Sequence, residues 1–264
     1  MIYNKEFGLV LGGGAGLGFA HLGVLQYLEE IKCTPSIITG TSMGALIGGL
    51  YACGKNVGQI IELLETFNNS KIIDIKLFPL TSQALLRSEK INRFLQELFG
   101  EVQIEELNIK FGCVAVDIIK GELCEITNGS LWKAVRASIS VPAIFEPFEV
   151  GEKRFIDGGV MDNIPTNLAE KMGAKCKIAI NAIDYNKAML KPKTLVHCLI
   201  NALSLSQKEI IRVKTQADLL VNLSLDNVSM INFSKENALK AYTQGYNQTK
   251  YNYGEKICKL LCVK

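Results

Sequence analysis

Histidine is nearly missing from this chain. There are two, His21 and His197, in 264 residues. A histidine-rich metal centre is excluded, and a Ser-His-Asp triad would have only two candidates for its base. None of the eight cysteines (Cys33, Cys53, Cys113, Cys124, Cys176, Cys198, Cys258, Cys262) falls in a Cys-x-x-Cys pair. Cys258 and Cys262 lie four apart, on one face of an expected helix, but without further Cys or His nearby they make no metal site. No acidic cluster suggests calcium. The opening residues, Met1 to Glu6, lack a signal-peptide pattern, so reduced thiols and a cytoplasmic location are expected. Internal repeats, low-complexity tracts and Pro-, Gly- or Ser-rich linkers are missing too, and 1–264 reads as one domain. With 48% hydrophobic and 21% charged residues, disordered and fibrous classes are ruled out.

Two uncharged windows, Phe7–Leu28 and Cys33–Gly54, are long enough to cross a bilayer. Glycine clusters and turn residues interrupt both, and lipid could not satisfy a backbone opened there. They read instead as buried strand, glycine loop and buried helix. The net charge of +3 is uneven: residues 186–264 hold 12 Lys/Arg against 5 Asp/Glu. That excess is either a solvated basic face or a surface for peripheral contact with an anionic membrane. It is too modest, and too poor in reading motifs, for nucleic acid. No oligomeric state is legible.

Along the chain, short apolar runs predict strands at Phe7–Leu11, Ile37–Thr39, Lys110–Asp117, Glu122–Thr127, Arg154–Ile156, Lys177–Asn181 and Leu219–Leu223. Helices are expected at Gly18–Ile31, Met43–Ala52, Val57–Phe67, Glu89–Phe99, Ser130–Ser138, Pro165–Lys171, Thr194–Lys214 and Lys235–Leu261. Residues 70–88 should be irregular, and their leucines and Phe78 could form an apolar mouth or simply pack in the core. Strands alternating with helices imply an α/β fold with a mostly parallel sheet covered on both faces.

Three segments carry chemistry. Gly12-Gly13-Gly14-Ala15-Gly16-Leu17-Gly18 joins a strand to a helix. It does not complete a dinucleotide fingerprint or a P-loop. What is left is oxyanion binding by backbone N–H groups, or a tight turn with no ligand. Gly40-Thr41-Ser42-Met43-Gly44 matches Gly-x-Ser-x-Gly in the strand–turn–helix setting that a nucleophile elbow requires; the alternative is a serine that merely caps a helix. Ser42 would need a base. His21 sits three residues past the loop, and His197 lies in Leu195–Leu199, which reads as a buried helix face. Asp157, ahead of Gly158 and Gly159, is the better candidate, although Asp-Gly also makes ordinary turns.

These segments, with Ala137-Ser138-Ile139-Ser140-Val141-Pro142 and Asp157 through Pro165, resemble the patatin-like phospholipases, in particular compact bacterial members. The likeness implies a three-layer αβα fold and a Ser42–Asp157 dyad without histidine. It further implies an oxyanion hole at Gly13, Gly14 and Ala15, supported by Gly12, Gly16 and Gly18, and hydrolysis of lipid or phospholipid acyl esters with no cofactor or metal. Two positions depart from the family pattern. Ala15 stands where Gly is usual, and Leu17 where Arg or Lys is usual. An alternative register would use Gly12–Gly14. Lipid binding with little turnover, and acyl transfer or thioester hydrolysis, are the competing readings.

Overall fold

A computed structural model describes residues 6–67, 88–187, 189 and 191–263. These residues form one eight-stranded sheet. Its strands are β1 (Gly8–Leu11), β2 (Ile37–Gly40), β3 (Lys110–Asp117), β4 (Glu122–Ile126), β5 (Phe148–Val150), β6 (Lys153–Asp157), β7 (Lys177–Asn181) and β8 (Leu219–Asn222). The spatial order is β5-β6-β3-β2-β1-β7-β8, with β4 paired to β3 off that path. The central pairings, β3-β2-β1-β7-β8, are parallel. The antiparallel pairs lie at one end, where β4 and β6 join β3 and β5 joins β6.

Successive residues of a strand point to opposite faces, and both faces here are apolar because both are covered. Leu9 and Leu11 of β1 enter the larger core, while Val10 enters the smaller. Ile178 and Ile180 of β7 likewise oppose Ala179. The larger layer holds α1 (Ala20–Glu30), α2 (Met43–Ala52), α3 (Val57–Phe67), α4 (Ser88–Phe99) and α5 (Leu131–Ser138). The smaller layer is α6 (Thr166–Lys171), held close by Ala169, Ala174 and Ala179. α7 (Leu195–Lys214) follows β7; α8 (Lys235–Gln248) and α9 (Gly254–Leu261) close the chain on the larger face. The expected three-layer α/β architecture is therefore present.

The two windows long enough to span a bilayer are β1 with α1, and β2 with α2. Among the described residues no helix is long and apolar enough to cross a membrane.

Four details differ from expectation. After the glycine loop the chain first makes a 3-10 turn, Ala15–Phe19, and α1 begins only at Ala20. The short edge strand β5 carries too few residues to show alternation in sequence. The long C-terminal helix is interrupted by a π turn at Thr249–Tyr253, where Thr249 Oγ1 donates to the Gly245 carbonyl at 2.7 Å. α9 then ends at Leu261, and Cys262 adopts φ 56° beyond it, so Cys258 and Cys262 do not share a helix face. Leu195–Leu199 is also not a buried face: Leu195, Cys198 and Leu199 are exposed, because among the described residues it is the opposite side of α7 that packs over the cavity. The irregular stretch and apolar mouth expected at 70–88 lie, up to residue 87, outside the described residues.

Candidate active site

Parallel strands deliver their following loops to one edge of the sheet, where ligand sites of open α/β folds form. β1 ends in the glycine loop and β2 ends in the serine turn. Asp157 arrives on an antiparallel strand, and the register shows how it reaches the same edge. Gly40 pairs with Cys113 of β3, and Asp157 pairs with Ala115, two residues further on. β4 occupies the other side of β3, so β6 continues on the β2 side where β2 ends, and Asp157 is thus level with Ser42.

Ser42 has φ 54° and ψ −123°, a conformation costing a non-glycine residue about 1–3 kcal/mol. Close packing enforces it. A Cβ on Gly44 would stand 2.1 Å from the Leu11 carbonyl oxygen, so the turn lies directly on β1 and admits only glycine there. Ser42 precedes α2, yet its side chain makes no capping hydrogen bond, and its hydroxyl is not spent on holding the helix. The Ser42 N–H donates to Ser138 Oγ at 3.0 Å. Ser42→Gly should therefore raise stability by about 1–2 kcal/mol in denaturant unfolding, whereas Ser42→Ala, with the same backbone constraint, should show no such gain.

Asp157 closes β6. Its Oδ1 accepts the Gly159 N–H at 2.8 Å, and its main-chain N–H donates to the Ser140 carbonyl at 2.9 Å. Oδ2 is buried and has no donor at hydrogen-bonding geometry among the described residues. Burial pushes the carboxyl from its ordinary 3.8 up to about 6, against the opposing pull of the Ser42 hydroxyl and the Gly159 N–H. The two glycines are needed for close approach: a Cβ on Gly158 would stand 2.3 Å from the Val114 carbonyl oxygen of β3.

One segment therefore holds both residues. Ser138 supports Ser42, and Ser140, past the end of α5, supports Asp157. Arg136 in turn pins Ser140. Its buried guanidinium donates to Ser140 Oγ at 2.5 Å and to Asn92 Oδ1 at 2.8 Å, and lies over the rings of Phe145 and Phe148. The sequence displays this block as a motif, but a bracing role depends on long-range contacts that no local pattern encodes.

Within the glycine loop, several N–H groups are already committed. Gly12 donates to Ile180 O, Gly13 to Asn163 O and Gly16 to Met230 O. Of the three expected oxyanion donors, Gly13 is thus engaged, while Gly14 and Ala15 have no acceptor among the described residues. Ala15 sits at φ 46°, in the left-handed region that favours the glycine it replaces. Gly13 lies against Ser42, and a Cβ there would be 3.3 Å from the serine Cβ. Leu17 is buried in the larger core. His21 is fully buried and donates from Nε2 to the Gly12 carbonyl at 2.7 Å. Burial pushes it down to about 4, so at neutral pH it is an uncharged brace for the loop. His197 contacts the Lys191 carbonyl through Nδ1 at 3.1 Å, away from the serine turn.

Gly13, Gly14, Ala15, Ser42 and Asp157 face one cavity of about 70 Å³. Val141, Val160, Ile183 and Met230 supply apolar wall, and Ile200, Leu203, Ser204 and Gln207 of α7 close it over. Sequence reading missed these α7 residues and Asn163. Asn163 holds Gly13, as above, and its Nδ2 reaches Tyr185 OH at 3.4 Å. The family block includes Asn163; nothing local singles out α7. Among the described residues no group of three or more His, Cys, Asp or Glu side chains could hold a metal ion.

A family model described as Patatin-like phospholipase matches residues 9–170. A lysophospholipase of Candida albicans, NTE1, is 32% identical over 186 residues, covering 69% of this chain and 13% of that protein. An uncharacterised NTE family protein of Mycobacterium tuberculosis is 33% identical over 178 residues, covering 67% of this chain and 49% of its own. A patatin-like phospholipase domain-containing protein of Caenorhabditis elegans is 37% identical over 184 residues, covering 68% and 14%. The match thus spans half or less of each of these relatives. The crystal structure of VipD from Legionella pneumophila superposes with a TM-score of 0.52 at 17% identity, covering 93% of this chain and 66% of VipD, a likeness of fold. The matched region contains the glycine loop, the serine turn and the Asp-Gly-Gly turn in their order along the sheet, and the chain belongs to the patatin-like phospholipase family.

Proposed function

We propose that this chain is a serine acyl hydrolase acting on carboxylic esters of lipids, with Ser42 as nucleophile and Asp157 as its base. The observation that carries the reading is convergence: a strained, uncapped serine and a half-satisfied buried carboxylate face one cavity beneath uncommitted loop amides. In this mechanism Asp157 accepts the Ser42 Oγ proton as Oγ attacks the ester carbonyl. The carbonyl oxygen becomes an oxyanion held by the N–H groups of Gly14 and Ala15. Collapse expels the alcohol, which takes the proton back from Asp157 and leaves an acyl-serine. Water, deprotonated by Asp157, then releases the fatty acid and restores Ser42.

A carboxylate is an intrinsically weaker base than imidazole, so burial matters: a pKa near 6 brings Asp157 close to that of a histidine. Backbone donors carry much of the remaining stabilisation, one such donor typically being worth about 3–4 kcal/mol. The apolar walls suit an acyl chain, and the relatives called lysophospholipases favour a lipid ester.

A fluorophosphonate probe tests the assignment. It should label wild-type protein at Ser42 and leave Ser42→Ala unlabelled, with wild type also hydrolysing a chromogenic acyl ester and a lysophospholipid. A folded wild type that binds lipid but neither labels nor turns over would replace this reading with a lipid-binding module.

A further inference from the structure

α7 has two apolar faces. The inner one, through Ile200, Leu203 and Ser204, closes the cavity over Ser42. The outer one is open: Leu195, Leu199 and Leu205 are 72%, 44% and 56% exposed. At 100° per residue, Leu195, Leu199 and the exposed Ala202 fall on one narrow stripe, with Leu205 beside it. A soluble helix ordinarily gives its outer side to charged residues; this one does so only in its second half, with Lys208, Glu209 and Arg212.

Charge selects what would cover this face. Residues 186–214 contain six Lys/Arg and a single acidic residue, Glu209. Lys191 and Lys193 are exposed at the start of the helix, beside the open leucines, and form no ion pair among the described residues. Leucines flanked by lysines match the boundary between anionic headgroups and acyl chains, where an amphipathic helix lies in the plane and sinks about 5–10 Å. α7 is about 10 Å across. A helix sunk to that depth would bring the cavity behind it to within one helix diameter of the lipid ester level.

We propose that the outer face of α7 is a docking surface for an anionic lipid bilayer, and that it holds the cavity behind the helix one helix diameter from the ester bonds of the facing leaflet. The proposal builds on the lipid hydrolase reading, but its test does not require turnover. Ser42→Ala protein, which leaves the vesicles intact, is floated with vesicles of phosphatidylcholine alone or of phosphatidylcholine and phosphatidylglycerol at 7:3. Binding should be at least about tenfold stronger to the anionic vesicles. Adding Leu195→Ser, Leu199→Ser and Leu205→Ser should lower it by about tenfold or more, as should Lys191→Gln with Lys193→Gln. In the otherwise wild-type chain, the same leucine and lysine changes should leave hydrolysis of a water-soluble short-chain ester unchanged. Equal binding to both vesicle types, or full binding by the leucine variant, would overturn the docking surface. So would a concentration-dependent dimer that the leucine variant abolishes, since a second copy would then cover the face. Loss of the hydrolase reading would appear separately, as absent turnover of the soluble ester alongside intact vesicle binding.

Discussion

Asp157→Asn should lower turnover of an acyl ester by about 10³-fold, within the range that a general base contributes, while leaving the fold in place. The substitution keeps the shape and the acceptor for the Gly159 N–H, so the turn after β6 persists. What it removes is the oxygen that can take a proton from Ser42. The pH profile gives a second, independent reading. Because Asp157 must be ionised to act, wild-type kcat/KM should fall as pH drops through about 6. A dyad based on an unperturbed carboxylate would instead hold its activity down to about 4. His197→Ala should leave the rate and the profile unchanged. Loss of turnover in that folded variant would restore histidine as the base.

The same raised pKa has a stability signature. A carboxyl at 3.8 in the unfolded chain and about 6 when folded favours the native state while protonated. That contribution is fully present below about 3.8 and is lost as pH rises through about 6. It amounts to about 3 kcal/mol, at 1.36 kcal/mol per pKa unit. Asp162, also buried and pushed up to about 6, keeps its own share in the Asp157→Asn variant. Chemical denaturation between pH 4 and 8 should show the variant losing less stability with rising pH than the wild type. Identical slopes would mean that Asp157 is not held protonated by burial.

Gly23→Ala should destabilise the protein by about 3 kcal/mol or more, at the upper end of what overpacking costs. α1 and α8 cross on the larger face with main chain against main chain. A Cβ on Gly23 would stand 2.2 Å from Tyr246 N and 2.3 Å from Tyr242 O, and one on Gly245 would stand 2.3 Å from Ala20 O. These neighbours are backbone atoms of a packed helix and cannot rotate away. The two helices would have to part, opening the core around Ala20, Val24 and Ala241, all fully buried. Gly245→Ala should cost a similar amount, and the double variant less than the sum, because parting the helices once relieves both clashes. Urea unfolding of the four proteins measures this. A change below about 1 kcal/mol at Gly23 would show that the crossing is looser than the geometry states.

Much of this molecule is written in local pattern. Met43–Ala52, Val57–Phe67 and Lys177–Asn181 form with the bounds their periodicity predicts, because helix and strand spacing depend on neighbours a few residues away. The serine turn and the Asp-Gly-Gly turn were legible for the same reason: their backbone shapes need particular residues at particular offsets, and glycine at those offsets is visible. Local pattern also misled. Leu195–Leu199 looks like core because apolar residues at helical spacing usually are, yet whether such a stripe finds a protein surface is settled elsewhere in the chain.

Tertiary structure decided the rest. That Asp157 is level with Ser42, 115 residues earlier in the chain, follows from the pairing of β6 with β3 and of β3 with β2. That Gly13 spends its N–H on Asn163, leaving Gly14 and Ala15, depends on a loop 150 residues away. That Ser138 and Ser140 brace the two candidate catalytic residues, and that α7 covers the cavity with one face and opens the other, also come from packing. Residue types and turns follow from chain-local sterics, so the sequence alone could name the chemistry. Which amide stays free, which carboxylate loses its water and which leucine stays exposed are properties of the assembled sheet and helices, because burial and hydrogen-bond satisfaction are defined only once distant segments meet.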